Sequence, residues 1–516
     1  MSYFPLSNLF KNNVIPTSTS PKFKRPRAPF YLESWCPWIR GQSAYAVYLY
    51  SPHSVEGVSP KYSGEMMSRL RMMLGKGGFY HSFFMRKFWN FIGKRVATMS
   101  GNPDIPSHDS IGGGIKEEAI SGEFLVIAGE GSGIKFANRL AEMSGSTVLL
   151  IQTKSRNFLE KEAGERVRSG VLTINAVYLG KFEDGMFAVN REERKIYRIS
   201  SQKVVFFPAI RDAFPIFENN DLPGIVSSDL AIQLIFEYSA LKEVDKVSVL
   251  ADGQRGISVA EEISKKKDVR IIAPLTKKDG LSEVESKDIV FASEIMARGY
   301  PNIRELEIVH PGKERIHTDL LVSAITGFPD IESLLQMGGS VVFSVSIGRP
   351  TIATKRGAVD GIDGVYLLGR ASGTPNSLVN MEIEIFSKFL SGEKLSGNEE
   401  EEMERIDRAK GLVPLNEATI REPPEFFLAR NIEGMKFICP CQDVTLSDVV
   451  KAYDLGYKDI ERIKRFTALG TGSCQGRICR FSTAMILSYL RSVSLESLGT
   501  FRQRPPLEPI EIEFLS

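Results

Sequence analysis

Four of the chain's five cysteines fall in one C-terminal stretch: Cys439 and Cys441, then Cys474 and Cys479, in the pattern C-x-C-x32-C-x4-C. Four thiolates supplied as two close pairs can surround a metal centre, and all-sulfur ligation suits zinc or an iron–sulfur cluster. Structural zinc favours C-x2-C knuckles, whose one-turn loop aims both sulfurs at one ion. Here neither pair has that spacing, and none of the five histidines lies nearby. C-x4-C is also a redox-disulfide spacing, although a disulfide needs no upstream C-x-C. The reading is a [2Fe–2S] cluster, with structural zinc or a disulfide left open. The second pair sits in "GTGSCQGRICRF", a glycine-rich loop running into a helix. Backbone N–H groups and the helix dipole there favour anionic thiolates and sulfides, and Arg477 and Arg480 add positive charge. Cys36 stands alone and reads as a small buried hydrophobe.

The elements that must hold these cysteines follow from the apolar pattern. "LSDVVKAYDLGY" and "KDIERIKRFTALG" have helical spacing and give a small, mostly helical module at 430–495. Upstream, "EFLVIAGEGSGIKFANRLAEMSGSTVLLIQT" reads as strand, glycine turn, helix, strand, and "KVSVLADGQRGISVAEEISKKKDVRIIAPL" repeats that order. The fold class is therefore α/β: two nested Rossmann-like nucleotide-binding subdomains, a small helical C-terminal domain and a reduced N-terminal segment. The expected divisions are 1–118, 119–240 with 331–395, an inserted unit at 241–330, an acidic solvated linker at 396–429, the cysteine module at 430–495 and a proline-rich tail at 496–516.

The nucleotide loops are poor fingerprints. A G-x-G-x-x-G loop uses its middle glycine to bring the backbone to a pyrophosphate. Aligned on its last glycine, "AGEGSG" gives Ala128, Glu130 and Gly133, which puts an acid at the middle position; the alternative is Gly129, Gly131 and Gly133. The acid that should end the next strand is missing, and Lys154 stands in that region. "LLGRAS" offers Gly369 and Arg370, with arginine where an acid is usual. The second unit keeps Gly253 and Gly256. Gly129, Gly131, Gly133, Lys154, Gly369 and Arg370 are the cofactor-binding candidates, for FAD or another nucleotide. A vestigial fold remains the other reading. No catalytic acid or base stands out.

Composition bounds the function. Lys and Arg number 65 against 63 Asp and Glu, so the chain as a whole does not read as a nucleic-acid binder. No run approaches a membrane span, and the N-terminus lacks the order of a signal peptide, which makes the cytoplasm the expected compartment. The first hundred residues are basic, with 14 Lys and Arg against Glu33, Glu56 and Glu65, and they hold Trp35, Trp38 and Trp89. Basic residues mixed with aromatics favour a subunit interface, with a partly buried segment bearing a solvated basic face, or a nucleic-acid surface, as the other readings.

The cysteine module resembles the bacterioferritin-associated-ferredoxin-like [2Fe–2S] domain, in the variant "GTGSCQGRIC" of opine oxidase and dye-linked proline dehydrogenase α subunits. "FKRPRAPF" and "GGFYHSFFMRKFWNFIGKRV" are similar to N-terminal segments of the heterotetrameric sarcosine oxidase α subunit, and the order of the units agrees. "RPPLEPI" resembles the start of a further C-terminal domain of the long α type. The resemblance implies a short α subunit, paired with an amino-acid-oxidase-like flavoprotein β subunit that oxidises an amine or imino acid. Electrons would pass from an interface flavin, such as FMN, through a cluster on Cys439, Cys441, Cys474 and Cys479 to an acceptor. A scaffold subunit with structural zinc is the alternative.

Overall fold

The computed structural model describes residues 115–503 and 507, apart from 145–147, 153–155, 191–192, 223, 238–240, 242–243, 278–288, 300–302, 311 and 473, together with two short strands, Phe4–Pro5 and Tyr45–Ala46. The expectations for Trp35, Trp38, Trp89, Cys36 and Lys154 lie outside the described residues.

The first unit opens with β1 (Lys116–Ala128), α1 (Gly131–Ser144), β2 (Val148–Gln152), α2 (Arg156–Ala163), β3 (Val171–Ile174) and β4 (Lys195–Phe207). Phe124 to Ala128 are buried without alternation, as a central parallel strand covered on both faces requires. β1 pairs in parallel with β2 and β4, and β2 with β3.

From β4 the chain crosses into a second parallel sheet: β5 (Ile225–Ser227), β6 (Lys246–Ala251), α3 (Gln254–Ser264), β7 (Asp268–Pro274), β8 (Ile289–Ala292) and β9 (Leu320–Ala324). Its order is β5-β9-β6-β7-β8. The two crossing segments, Ile210–Asp212 and Thr326–Pro329, pair antiparallel. They pass so closely that a Cβ on Gly327 would lie 2.3 Å from the Arg211 carbonyl oxygen. β10 (Val365–Leu367) then returns to the first sheet beside β4, which gives the order β3-β2-β1-β4-β10. That is the arrangement of a dinucleotide-binding sheet, and the second unit is nested within the first.

Two details differ from the sequence reading. β5 lies ahead of residue 241, so the second sheet recruits chain from before the expected boundary; three residues are too few to carry a readable period. The stretch expected to be an acidic linker is a helix over Gly397–Lys410. Ser396 and Glu399 form a reciprocal capping box, and Met403, Ile406 and Lys410 are buried on one side. Lys410 ion-pairs with the fully buried Glu382 at 3.4 Å, on α4 (Asn376–Ser391).

The C-terminal module starts with a small hairpin, β11 (Phe437–Cys439) and β12 (Val444–Thr445), followed by α5 (Leu446–Asp454), α6 (Ile460–Thr467) and α7 (Cys479–Arg491). Thr445 and Asp448 cap α5 reciprocally, and Asp459 caps α6. The module is fixed to the second unit by the buried Asn220, whose amide exchanges two 2.8 Å hydrogen bonds with the Phe437 backbone. Phe328 packs on Phe426 and Phe481 at 5.7 and 5.8 Å between ring centroids, which joins the cores. Among the described residues no helix is long and apolar enough to cross a membrane.

Candidate metal centre and nucleotide loops

Cys439 ends β11, Cys441 lies in the following 3-10 turn Pro440–Gln442, Cys474 sits in the glycine-rich loop and Cys479 opens α7. These separate segments meet beneath the surface: each of the four thiols is at most 2% exposed. Cys441 Sγ lies 3.5 Å from Cys474 Sγ. Hydrogen bonds from the Cys441 and Cys479 thiols hold Cys439 well below the usual thiol range, with a further bond from the Gly470 backbone. The Cys439 partner and burial push Cys479 well above it.

Glycines let the loop pass this close. A Cβ on Gly472 would lie 2.4 Å from Cys441 Cβ. Gly476, at φ 81°, faces Phe501, whose Cζ would lie 2.0 Å from an added Cβ. Phe501 is buried over the loop, with the Arg480 guanidinium 4.8 Å from its ring centroid. Arg480 also donates to Gln503, which in turn donates to Gln475 at 3.0 Å. Beyond the loop, Arg211 on the crossing segment pairs with Asp330 and Glu332 and donates to the Arg477 carbonyl at 3.4 Å. This buried charge network ties the cysteine loop to the hinge between the units.

Among the described residues, no three or more His, Cys, Asp or Glu side chains are gathered as ligands of one ion would be. The thiols form a run of pairwise contacts instead, Cys474 to Cys441 to Cys439 to Cys479. A tetrahedral ion asks for four sulfurs around one point, whereas two irons that take two thiolates each accept such a spread.

The two glycine loops superpose in role. An added Cβ would lie 2.6 Å from Ala128 Cβ at Gly133 and 2.5 Å from Ala251 Cβ at Gly256, so each is the glycine that lets helix and strand pack closely. Counting back from Gly133 puts Glu130 at the middle position, where the second unit keeps Gly253. Glu130 is buried, and Arg370 Nε donates to it at 3.2 Å. The Gly369 N–H donates to the buried Glu382 at 2.7 Å, so a second carboxylate organises the Gly369–Thr374 turn.

Sequence reading missed Glu162, Glu382, Arg211, Glu332 and Phe501. Glu162, Arg211, Glu332 and Phe501 reach their sites from distant parts of the chain, and Glu382 sits on the helix after the Gly369–Thr374 turn that it holds.

The fold is one of two nested dinucleotide-type units with a small cysteine-bearing module. Residues 433–516 match the sarcosine oxidase A3 domain. The chain is 28% identical over 109 residues to an opine oxidase subunit of Rhizobium meliloti, a match that covers 21% of this chain and 18% of that protein. It is 22% identical over 333 residues to the sarcosine oxidase alpha subunit of Rhizobium meliloti (strain 1021), covering 62% of this chain and 32% of that one. The crystal structure of L-proline dehydrogenase from P. horikoshii superposes with a TM-score of 0.58 at 22% identity, covering 78% of this chain and 80% of that one. The chain is thus similar, over different parts of its length, to α-type subunits of sarcosine and opine oxidases, and shares its fold with L-proline dehydrogenase. It spans less than a fifth of the length of the opine oxidase subunit that it matches.

Proposed function

We propose that the chain is the electron-transferring α subunit of a flavin-dependent dehydrogenase or oxidase that acts on the CH–NH bond of an amine or imino acid, of sarcosine, proline or opine type. Cys439, Cys441, Cys474 and Cys479 would hold a [2Fe–2S] cluster, which supplies a one-electron relay between a two-electron flavin and an acceptor. The observation that carries this reading is the meeting of four buried thiols from three separate segments, with one pair of sulfurs 3.5 Å apart. The residues around them suit that role. Phe501 and Arg480 exclude water from the loop, and the cations of Arg477 and Arg480 offset the negative charge that four thiolates would bring.

The relatives named as parts of larger oxidases favour a complex of several chains. Substrate oxidation then belongs to a flavoprotein β partner. The test is the complex isolated from its native cells. It should reduce an artificial dye with sarcosine, proline or an opine. With Cys474→Ser, substrate should still bleach the flavin anaerobically while dye reduction is lost. Dye reduction at the native rate by the variant would remove the cysteines from the electron path.

A further inference from the structure

A dinucleotide on this fold rests its pyrophosphate on the N-terminus of the first helix, held by N–H groups of the glycine loop. In this chain that place is taken by protein. The Gly131 N–H, at the start of α1, donates to Glu162 Oε2 at 2.9 Å. The end of α2 lies directly on the loop, and a Cβ on Gly131 would be 2.4 Å from the Ala163 nitrogen and 2.7 Å from the Glu162 carbonyl carbon. The Gly129 N–H donates to the Phe207 carbonyl at 2.7 Å and the Gly133 N–H to the Glu130 carbonyl at 3.0 Å. Each loop glycine therefore has an acceptor within the chain.

The other wall is closed as well. Glu130, 2% exposed, accepts from Ser132 Oγ at 2.7 Å and from Arg370 Nε at 3.2 Å. A Cβ on Gly369 would lie 2.6 Å from Glu130 Oε1, so the carboxylate is wedged between the two loops that would bracket a dinucleotide. Arg370, the cation that would meet a phosphate, is committed to it.

We propose that the first nucleotide site is closed by the chain's own carboxylates. Glu162 stands in for the pyrophosphate at the N-terminus of α1, and the Glu130–Arg370 pair locks the facing loop. This unit then carries no dinucleotide, and any flavin of the assembly is held by a partner or at an interface. A pyrophosphate would have to displace one carboxylate, break a buried pair and settle beside two anions. One anion in place of another keeps the helix dipole satisfied, which lets the loop persist without a ligand. The inference is independent of the electron-transfer role, which needs no nucleotide here.

The test uses the full chain with ADP and FAD as probes. On denaturation the native protein should release neither flavin nor adenine nucleotide in stoichiometric amount, and millimolar ADP should leave its Tm unchanged, because a ligand stabilises only what binds it. Glu130→Gly combined with Glu162→Gln should tighten ADP binding by at least about tenfold. Arg370→Met should lower Tm without changing nucleotide content. Stoichiometric nucleotide in the native chain would overturn the proposal, as would an unchanged Tm in Arg370→Met. A double variant that folds with native Tm and binds ADP no better would also overturn it. Should the double variant fail to fold, the native chain and Arg370→Met decide the matter.

Discussion

The sulfurs of Cys441 and Cys474 lie 3.5 Å apart although 33 positions separate them in the chain. A hairpin turn and a glycine-rich loop must each be built before that approach exists, so the contact reports the assembly of the whole module. Replacing either cysteine with serine nearly keeps the volume and removes the soft thiolate that the proposed cluster would need. Iron and visible absorbance should be lost almost completely from Cys441→Ser and from Cys474→Ser. The check is iron content per chain after anaerobic purification, and a variant that retains native iron contradicts the ligand assignment.

Gly472 packs tightly against Cys441 of that pair. Its alanine variant would put a methyl carbon 2.4 Å from Cys441 Cβ, so one side of the site must move. Overpacking of this kind costs about 1–3 kcal/mol. Gly472→Ala should lose that much in urea unfolding and should also bind less iron than the native chain. Native stability and native iron together would mean that the loop has room which the packing does not show.

The hinge network gives a third expectation. Glu332 is buried; burial by itself would raise its carboxyl, but Arg211 beside it, the Asp330 hydrogen bond and Arg477 hold it well below the usual carboxylate range. Glu332→Gln leaves Arg211 with a single carboxylate partner, and breaking a buried pair costs about 3 kcal/mol or more. Chemical denaturation should register a loss of that size. A loss below about 1 kcal/mol is what an exposed pair gives, and it would contradict a structural role for the network.

Glu425 carries a pH signature. Burial would raise its carboxyl, yet Arg349 at 3.0 Å and Lys277 at 2.8 Å hold it at about 2. An unfolded glutamate titrates near 4.3, so the native state binds this proton later than the unfolded state. The pair therefore stabilises the fold above about pH 4.3 and loses that contribution as pH falls from about 5 toward 2, by up to about 3 kcal/mol. The stability gap between the native chain and Glu425→Gln should be largest at neutral pH and shrink across that window. A gap that stays constant with pH would show that the ionised pair contributes nothing.

Much of the site was legible because its chemistry is carried by residue type and spacing. Four cysteines in two pairs need no fold to be noticed, and Gly133 and Gly256 stand at the same distance from the ends of β1 and β6. What stayed hidden depends on tertiary approach. Glu162 meets Gly131 across 31 positions, and Arg211 meets Glu332 across 121. The helix at 397–410 was obscured by its acidic composition, although the Ser396–Glu399 box and the spacing of Met403 and Ile406 were present in the letters. There the capping signal outweighed the charge, because three buried side chains on one face suffice to dock a capped helix.

Whether the four cysteines hold a two-iron relay is decided by EPR of the anaerobically purified chain after dithionite reduction, with iron, sulfide and zinc assayed on the same sample. About two irons and two sulfides per chain and a rhombic S = 1/2 signal are expected, in line with four-thiolate [2Fe–2S] ligation. One zinc per chain, no sulfide and no EPR signal would contradict the relay and leave the cysteine module a structural one.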